Sequence, residues 1–189
     1  IKKKLINKKI KTIKVENFII KYPLLQSFTK NYKSSYTQKD IKKLKKFKNF
    51  NLIGMGGSIL GTEAIYQFLN KKVKKNFYFT NNLRPKLNLT KNSLNIIISK
   101  SGETLETISN FHVLQKYKGN TQNLFISEKK NSYLRQIAQS LKSEIFEHKN
   151  FIGGRYSVLS EVGMLPAELM GFDPKKFRQY NNLINNKNF

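Results

Sequence analysis

The chain has 189 residues, a formal net charge of +25 and no cysteine. That length suffices for one compact domain with extra elements, while the missing thiols exclude a disulfide framework and a thiolate metal site and fit a reducing compartment. His112 and His148 are the sole imidazoles and stand outside any zinc-binding spacing, so no metal site is expected.

From residue 1 to 48, short apolar patches such as FIIKYPLL are broken by lysines, and DIKKLKKF sets Ile41, Leu44 and Phe47 at helical spacing. This predicts irregular structure ending in a helix. The opening IKKKLINKKIKTIK is too interrupted for a signal-peptide core, and no apolar run approaches the roughly 18 residues of a membrane span. A cytoplasmic protein without membrane attachment is the expectation. Ile rather than Met at position 1 leads us to expect a piece of a longer chain.

From Phe50 onward, short β-favouring runs alternate with helical ones: FNLIG then SILGTEAIYQFLN, NFYFT then a Pro-containing loop, LNIIIS then ETLETISNFHVLQKY, NLFIS then SYLRQIAQSLK, and EIFEH before FIGGRYSVLSEVGMLPAELMGF. Strands that alternate with helices pair in parallel through crossovers. The expected fold is α/β: a doubly wound, flavodoxin-like parallel sheet of about five strands. The Asn-rich end, NNLINNKNF, is expected to fray.

A basic surface attracts polyanions by releasing their counterions, but only four of the 36 basic residues are arginine, and the lysines are scattered among apolar positions. Without an aromatic and arginine cluster to read bases, no specific nucleic-acid partner is expected, only weak binding driven by charge.

Two turns stand out. After the first strand come Gly54, Met55, Gly56, Gly57 and Ser58. Neither the dinucleotide motif nor the phosphate loop fits, because Ile59 and Thr62 occupy the deciding positions. A tight strand-to-helix turn needs one or two glycines; three predict a ligand lying close to bare N–H groups. After the third strand, Ser99, Lys100, Ser101, Gly102, Glu103 and Thr104 put three hydroxyls at a helix start. Ordinary capping accounts for one of them, and a phosphomonoester at the positive end of the helix accounts for all three. In a sheet ordered 2-1-3-4-5 these turns border the crevice between strands one and three, where ligands of such sheets bind. A small phosphorylated molecule is the expected partner.

The strings GMGGSILG, SKSGETLET and GGRYSVLSEVGMLPAE together resemble the N-terminal sugar isomerase (SIS) domain of the glucose-6-phosphate isomerase family. The third follows the family signature GGRYSxxSxxGxLP almost throughout, and the likeness runs from about residue 50 to 170. It implies a cytosolic glycolytic enzyme that interconverts glucose 6-phosphate and fructose 6-phosphate through a cis-enediolate, without metal or cofactor, as a homodimer. Carried over by motif position, Ser99, Lys100, Ser101 and Thr104 bind the phosphate, Gly57 and Ser58 line the sugar, and Arg155 stabilises the enediolate oxygen. Glu103 departs from the neutral residue common there and is expected to turn outward and cap its helix. In the family the glutamate base, the ring-opening histidine and a lysine lie in a second SIS domain. The implied organisation is an extension over residues 1–48, a SIS domain over 49–172, and over 173–189 the start of a linker toward that second domain, so that the fragment alone is inactive. The rival reading is a SIS module that senses a phosphosugar without chemistry.

Overall fold

The computed structural model describes residues 22–83, 92–116 and 121–179. The lysine-rich residues 1–21, the loop containing Pro85 and the Asn-rich end lie outside the described residues. Five strands, β1 (Asn49–Gly54), β2 (Asn76–Thr80), β3 (Ser93–Ile98), β4 (Thr121–Glu128) and β5 (Glu144–His148), form one sheet in the order β2-β1-β3-β4-β5. Every pairing is parallel. The alternation of strand and helix in the sequence leads to this arrangement because parallel neighbours need a crossover.

Helices cover both faces. Successive strand side chains point to opposite sides, so Phe50, Leu52, Ile96, Ile126 and Phe146 enter one core and Ile53, Ile97 and Phe125 the other. The first core is closed by α1 (Gln38–Leu44), α2 (Leu60–Leu69) and α5 (Glu161–Leu169) through Ile41, Leu44, Ile65, Val162 and Leu165. The second is closed by α3 (Leu105–Gln115) and α4 (Tyr133–Ser140) through Phe111, Leu114, Leu134 and Ala138. A short α6 (Pro174–Phe177) follows α5. Central β3 is buried along its whole length, as a strand with helices on both faces must be.

The segment ahead of the sheet belongs to this packing. Pro23–Phe28 forms a 3-10 turn, and α1 starts on a reciprocal capping box in which Asp40 accepts the Thr37 N–H at 2.7 Å. Tyr36, Ile41 and Leu44 are buried in the first core. No described helix is long and apolar enough to cross a membrane.

One polar feature runs through the second face. Asn51, Asn95 and Asn123 are in register across β1, β3 and β4. Asn51 donates to Asn95 at 2.8 Å, and Asn95 donates to Asn123 at 2.9 Å. Ser93 accepts a further bond from Asn51 at 3.1 Å. The ladder lies toward the amino edge of the sheet, opposite the site.

Candidate active site at the carboxyl edge of the sheet

β1 and β3 are neighbours, and Gly54 pairs with Ile98 in register. The two unusual turns therefore leave the carboxyl edge side by side. The chain turns opposite ways from these strands, and the crevice so formed is the switch point expected to hold a ligand.

The β3 turn gathers its hydroxyls. Ser99 Oγ lies 2.9 Å from Thr104 Oγ1 and 3.5 Å from Ser101 Oγ, and Ser101 Oγ lies 3.4 Å from Thr104 Oγ1. The Gly102 and Glu103 N–H groups donate to Ser99 Oγ and Ser101 Oγ at 3.1 Å each. Thr104 is the N-cap of α3, yet its side chain makes no capping bond. Capping thus fails to account for the Thr104 oxygen, and the three hydroxyls form a small triangle at the positive end of an 11-residue helix. Gly102 holds φ +69, and a Cβ there would run into Ser132 Oγ, so only glycine permits this turn.

One expectation for this turn is corrected. The Glu103 carboxylate does turn away from the hydroxyls, but it accepts the Tyr133 N–H at 2.8 Å, capping the start of α4 instead of its own helix. Ser132, the N-cap of α4, makes no side-chain capping bond, leaving that position to Glu103. The Lys100 ammonium donates to the Asn150 carbonyl at 2.7 Å and so braces the segment after β5. The structure brings Ser99, Ser101 and Thr104 together and sends the Lys100 side chain elsewhere.

In the β1 turn the glycines serve mainly another purpose than the one expected. A Cβ on Gly54 would meet the Ile98 carbonyl oxygen at 3.0 Å. A Cβ on Gly57 would strike the Gly154 carbonyl and lie 2.7 Å from the Arg155 nitrogen. The bare backbone at Gly57 thus admits a second piece of this chain, the 3-10 turn Gly154–Leu159. Gly56 alone of the three faces open space. Ser157 fastens the contact, its hydroxyl lying 3.0 Å from the Gly57 carbonyl and 2.7 Å from that of Gly154.

That contact sets the backbone of Arg155 against the β1 turn. Its side chain is exposed and has no ion pair or hydrogen bond among the described residues. Ser58 is half-buried at the start of the same crevice. An always-charged guanidinium stands beside one turn, and hydroxyls and amides at a helix start form the next. Such an arrangement suits a ligand carrying a phosphate at one end and developing negative charge at the other.

Glu161 and His148, the nearby candidates for acid-base work, are both fully buried. Glu161 spends one oxygen on the Lys149 N–H at 3.2 Å and the other on the Tyr32 hydroxyl at 2.8 Å. His148 Nδ1 lies 3.1 Å from the Lys149 carbonyl, the arrangement of a neutral ring donating to an acceptor. Burial chiefly holds the His148 pKa below its ordinary value; nearby Lys100 adds to this, while the Lys149 carbonyl, Glu161 and Glu128 oppose it. Burial and then Glu161 push the Tyr32 phenol upward, which keeps it a neutral donor. His112 is exposed, with Nε2 3.4 Å from the Tyr133 hydroxyl. Among the described residues, no group of three His, Cys, Asp or Glu is placed to hold a metal ion. Sequence reasoning missed Tyr32, which bonds Glu161, and Arg178, whose guanidinium lies over the Tyr32 ring. Glu161 itself reads as an ordinary first-turn acid, and no local pattern marks its partners.

A family model described as phosphoglucose isomerase matches residues 13–185. The glucose-6-phosphate isomerase of Methanocaldococcus jannaschii is 36% identical over 149 residues, covering 71% of this chain and 36% of that one. Its counterpart from Borreliella afzelii is 39% identical over 140 residues, covering 64% and 26%. The one from Campylobacter jejuni is 36% identical over 143 residues, covering 68% and 35%. The chain thus spans about a quarter to a third of the length of these curated relatives. Among solved structures, a hypothetical protein of Thermus thermophilus superposes with a TM-score of 0.66 at 25% identity, covering 77% of this chain and 39% of that one. The tagatose-6-phosphate ketose/aldose isomerase of Escherichia coli gives 0.54 at 13% identity, covering 77% and 43%, and bears on the fold alone.

Proposed function

The chain belongs to the phosphoglucose isomerase family, and from that premise we propose that it is the phosphosugar-binding part of an aldose-ketose isomerase that interconverts glucose 6-phosphate and fructose 6-phosphate. The observation that carries this reading is the triangle of Ser99, Ser101 and Thr104 hydroxyls beside a turn against which the backbone of Arg155 is packed.

In this reading the phosphate rests on the three hydroxyls and the amides at the start of α3, with the Lys100 charge contributing through the field. The sugar lies along Gly57 and Ser58. A base lifts the proton from C2 of the open-chain aldose, the electron pair enters a C1–C2 double bond, and the former carbonyl oxygen gains negative charge. The hydroxyl proton then passes from O2 to O1, and as the O2 electron pair forms the C2 carbonyl the first proton returns to C1, which completes the ketose. Arg155 meets the charged oxygen and stabilises it more in the transition state than in the bound sugar. Glu161 and His148 are buried and engaged, so we assign the base to a part of the isomerase outside residues 1–189. The 189-residue chain alone should then turn over little substrate. The reading requires no cofactor and carries with it a homodimer working in cytoplasmic glycolysis and gluconeogenesis. An exposed arginine without a partner among the described residues favours it over a sensing module.

Titration with fructose 6-phosphate tests this reading through thermal stability. At a hundredfold excess over Kd, binding adds about 2.7 kcal/mol, a rise of a few degrees in Tm, which the double variant Ser101→Ala, Thr104→Ala should lose. An unchanged Tm of the wild-type chain at millimolar ligand overturns the proposal.

A further inference from the structure

Arg155 has no side-chain partner among the described residues to aim it, so its direction depends on whatever holds the turn Gly154–Leu159. The front of that turn is fastened to Gly57 through Ser157. The back is fastened by two buried charged side chains. Arg178 Nε donates to the Leu159 carbonyl at 2.9 Å, at the last residue of the turn. Glu161 accepts the Lys149 N–H at 3.2 Å and so bridges the two ends of the segment 149–161 that contains Arg155.

These two residues meet at Tyr32. Its hydroxyl donates to the second Glu161 oxygen at 2.8 Å, and the Arg178 guanidinium lies over its ring, 4.7 Å from the centroid. Arg178 also reaches Ser34 at 3.5 Å. Taking a carboxylate and a guanidinium out of water costs several kcal/mol each unless their hydrogen-bonding atoms are met. Here Glu161 is fully buried and Arg178 nearly so. Glu161 is satisfied by one donor from each of two segments and by the positive end of α5, at whose first position it stands. The result is a clamp running from residues 32–34, through Glu161 and Arg178, to both ends of the arginine turn.

We propose that Glu161, held by Tyr32, is a positioning residue that sets the aim of Arg155 at the reacting carbons, so that the segment ahead of the sheet takes part in the chemistry of the site. This rests on the phosphosugar reading above. The test is calorimetric binding of two ligands to the full 189-residue chain. One is a sugar-acid phosphate whose carboxylate stands in for the enediolate oxygens; the other is a sugar-alcohol phosphate of similar length that offers only the phosphate and hydroxyls. Tyr32→Phe should weaken the acid ligand by roughly threefold to tenfold and leave the alcohol ligand unchanged. Glu161→Gln, which keeps an acceptor for the Lys149 N–H, should show a smaller selective loss. In an Arg155→Ala background neither change should alter the acid ligand further, because the group being aimed is gone.

A purely structural clamp would lower Tm but leave the ratio of the two affinities unmoved. That result, or equal weakening of both ligands, overturns the proposal. If the wild-type chain binds both ligands equally, Arg155 does not face the charge and the proposal falls with it. If it binds neither, the phosphosugar reading itself fails, and this inference with it.

Discussion

At the scale of single residues, burial decides what each polar group can do. Arg155 is exposed while Glu161, one or two turns further on in the same motif, is fully buried and spent on two donors. His148 gives a measurable consequence. Its Nδ1 faces the Lys149 carbonyl, Nε2 is buried without a partner among the described residues, and the charged groups around it are Glu161, Lys100 and Glu128. Burial depresses its folded pKa below the ordinary 6.5. As pH falls through that value the unfolded chain takes up a proton that the folded chain refuses, so acid drains stability until the folded pKa is reached. The slope for one proton is at most about 1.4 kcal/mol per pH unit. Urea unfolding between about pH 7 and 5.5 should show this fall, and His148→Gln, which keeps a donor for the Lys149 carbonyl, should flatten it. An identical slope in the variant would mean that His148 titrates alike in the folded and unfolded chain.

At the scale of elements, the asparagine ladder fixes how the central strands meet. Each of β1, β3 and β4 carries an Asn followed by apolar residues, and the ladder forms only if all three sit in register. Slipping any strand by one residue would place an apolar side chain against an amide and turn the rest of that strand to the wrong face. Asn95 is the middle rung, both donor and acceptor. Asn95→Ala leaves Asn51 and Asn123 each short of a partner, and a buried polar group left unmet costs about 1–3 kcal/mol. Asn51 keeps its Ser93 partner and Asn123 is half-buried, so chemical denaturation should show a loss of roughly 1–3 kcal/mol. A loss no larger than that of an exposed substitution would show that water replaces the rung. The β1 and β3 turns depend on this register, since it sets Gly54 against Ile98 at the edge of the crevice.

At the scale of the whole molecule, charge works against compactness. The chain carries 36 basic and 11 acidic residues. Three ion pairs occur among the described residues, Lys43–Glu144, Lys130–Glu128 and Lys149–Glu147, at 3.4, 3.8 and 3.4 Å, each with at least one partner partly open to solvent. Exposed pairs of this kind contribute little. Self-repulsion among lysines is screened over about 10 Å at 0.1 M salt. Tm should therefore rise by a few degrees between roughly 10 and 200 mM sodium chloride, as differential scanning calorimetry would record. A fall would mean that attractive pairs outweigh the repulsion.

The alternation of apolar runs and helical repeats already specifies the parallel sheet and its order, because the spacing of strand and crossover leaves few topologies open. Both turns and Arg155 are marked in the same way, since glycines, hydroxyls and a flanked arginine are unusual enough to be read locally. Which groups touch one another is settled later, by packing. The glycine at 57 looks like an opening for a ligand in the sequence, and in the fold the side where its Cβ would stand is taken by the backbone of Gly154, 97 residues further along. Tyr32 and Arg178 carry no motif, yet they come from opposite ends of the chain to meet beside Glu161, which Tyr32 bonds and Arg178 reaches only through the Tyr32 ring. Contacts between distant segments follow from the packing of whole faces, in which every helix competes for the same apolar surface, and no window of neighbouring residues contains that competition.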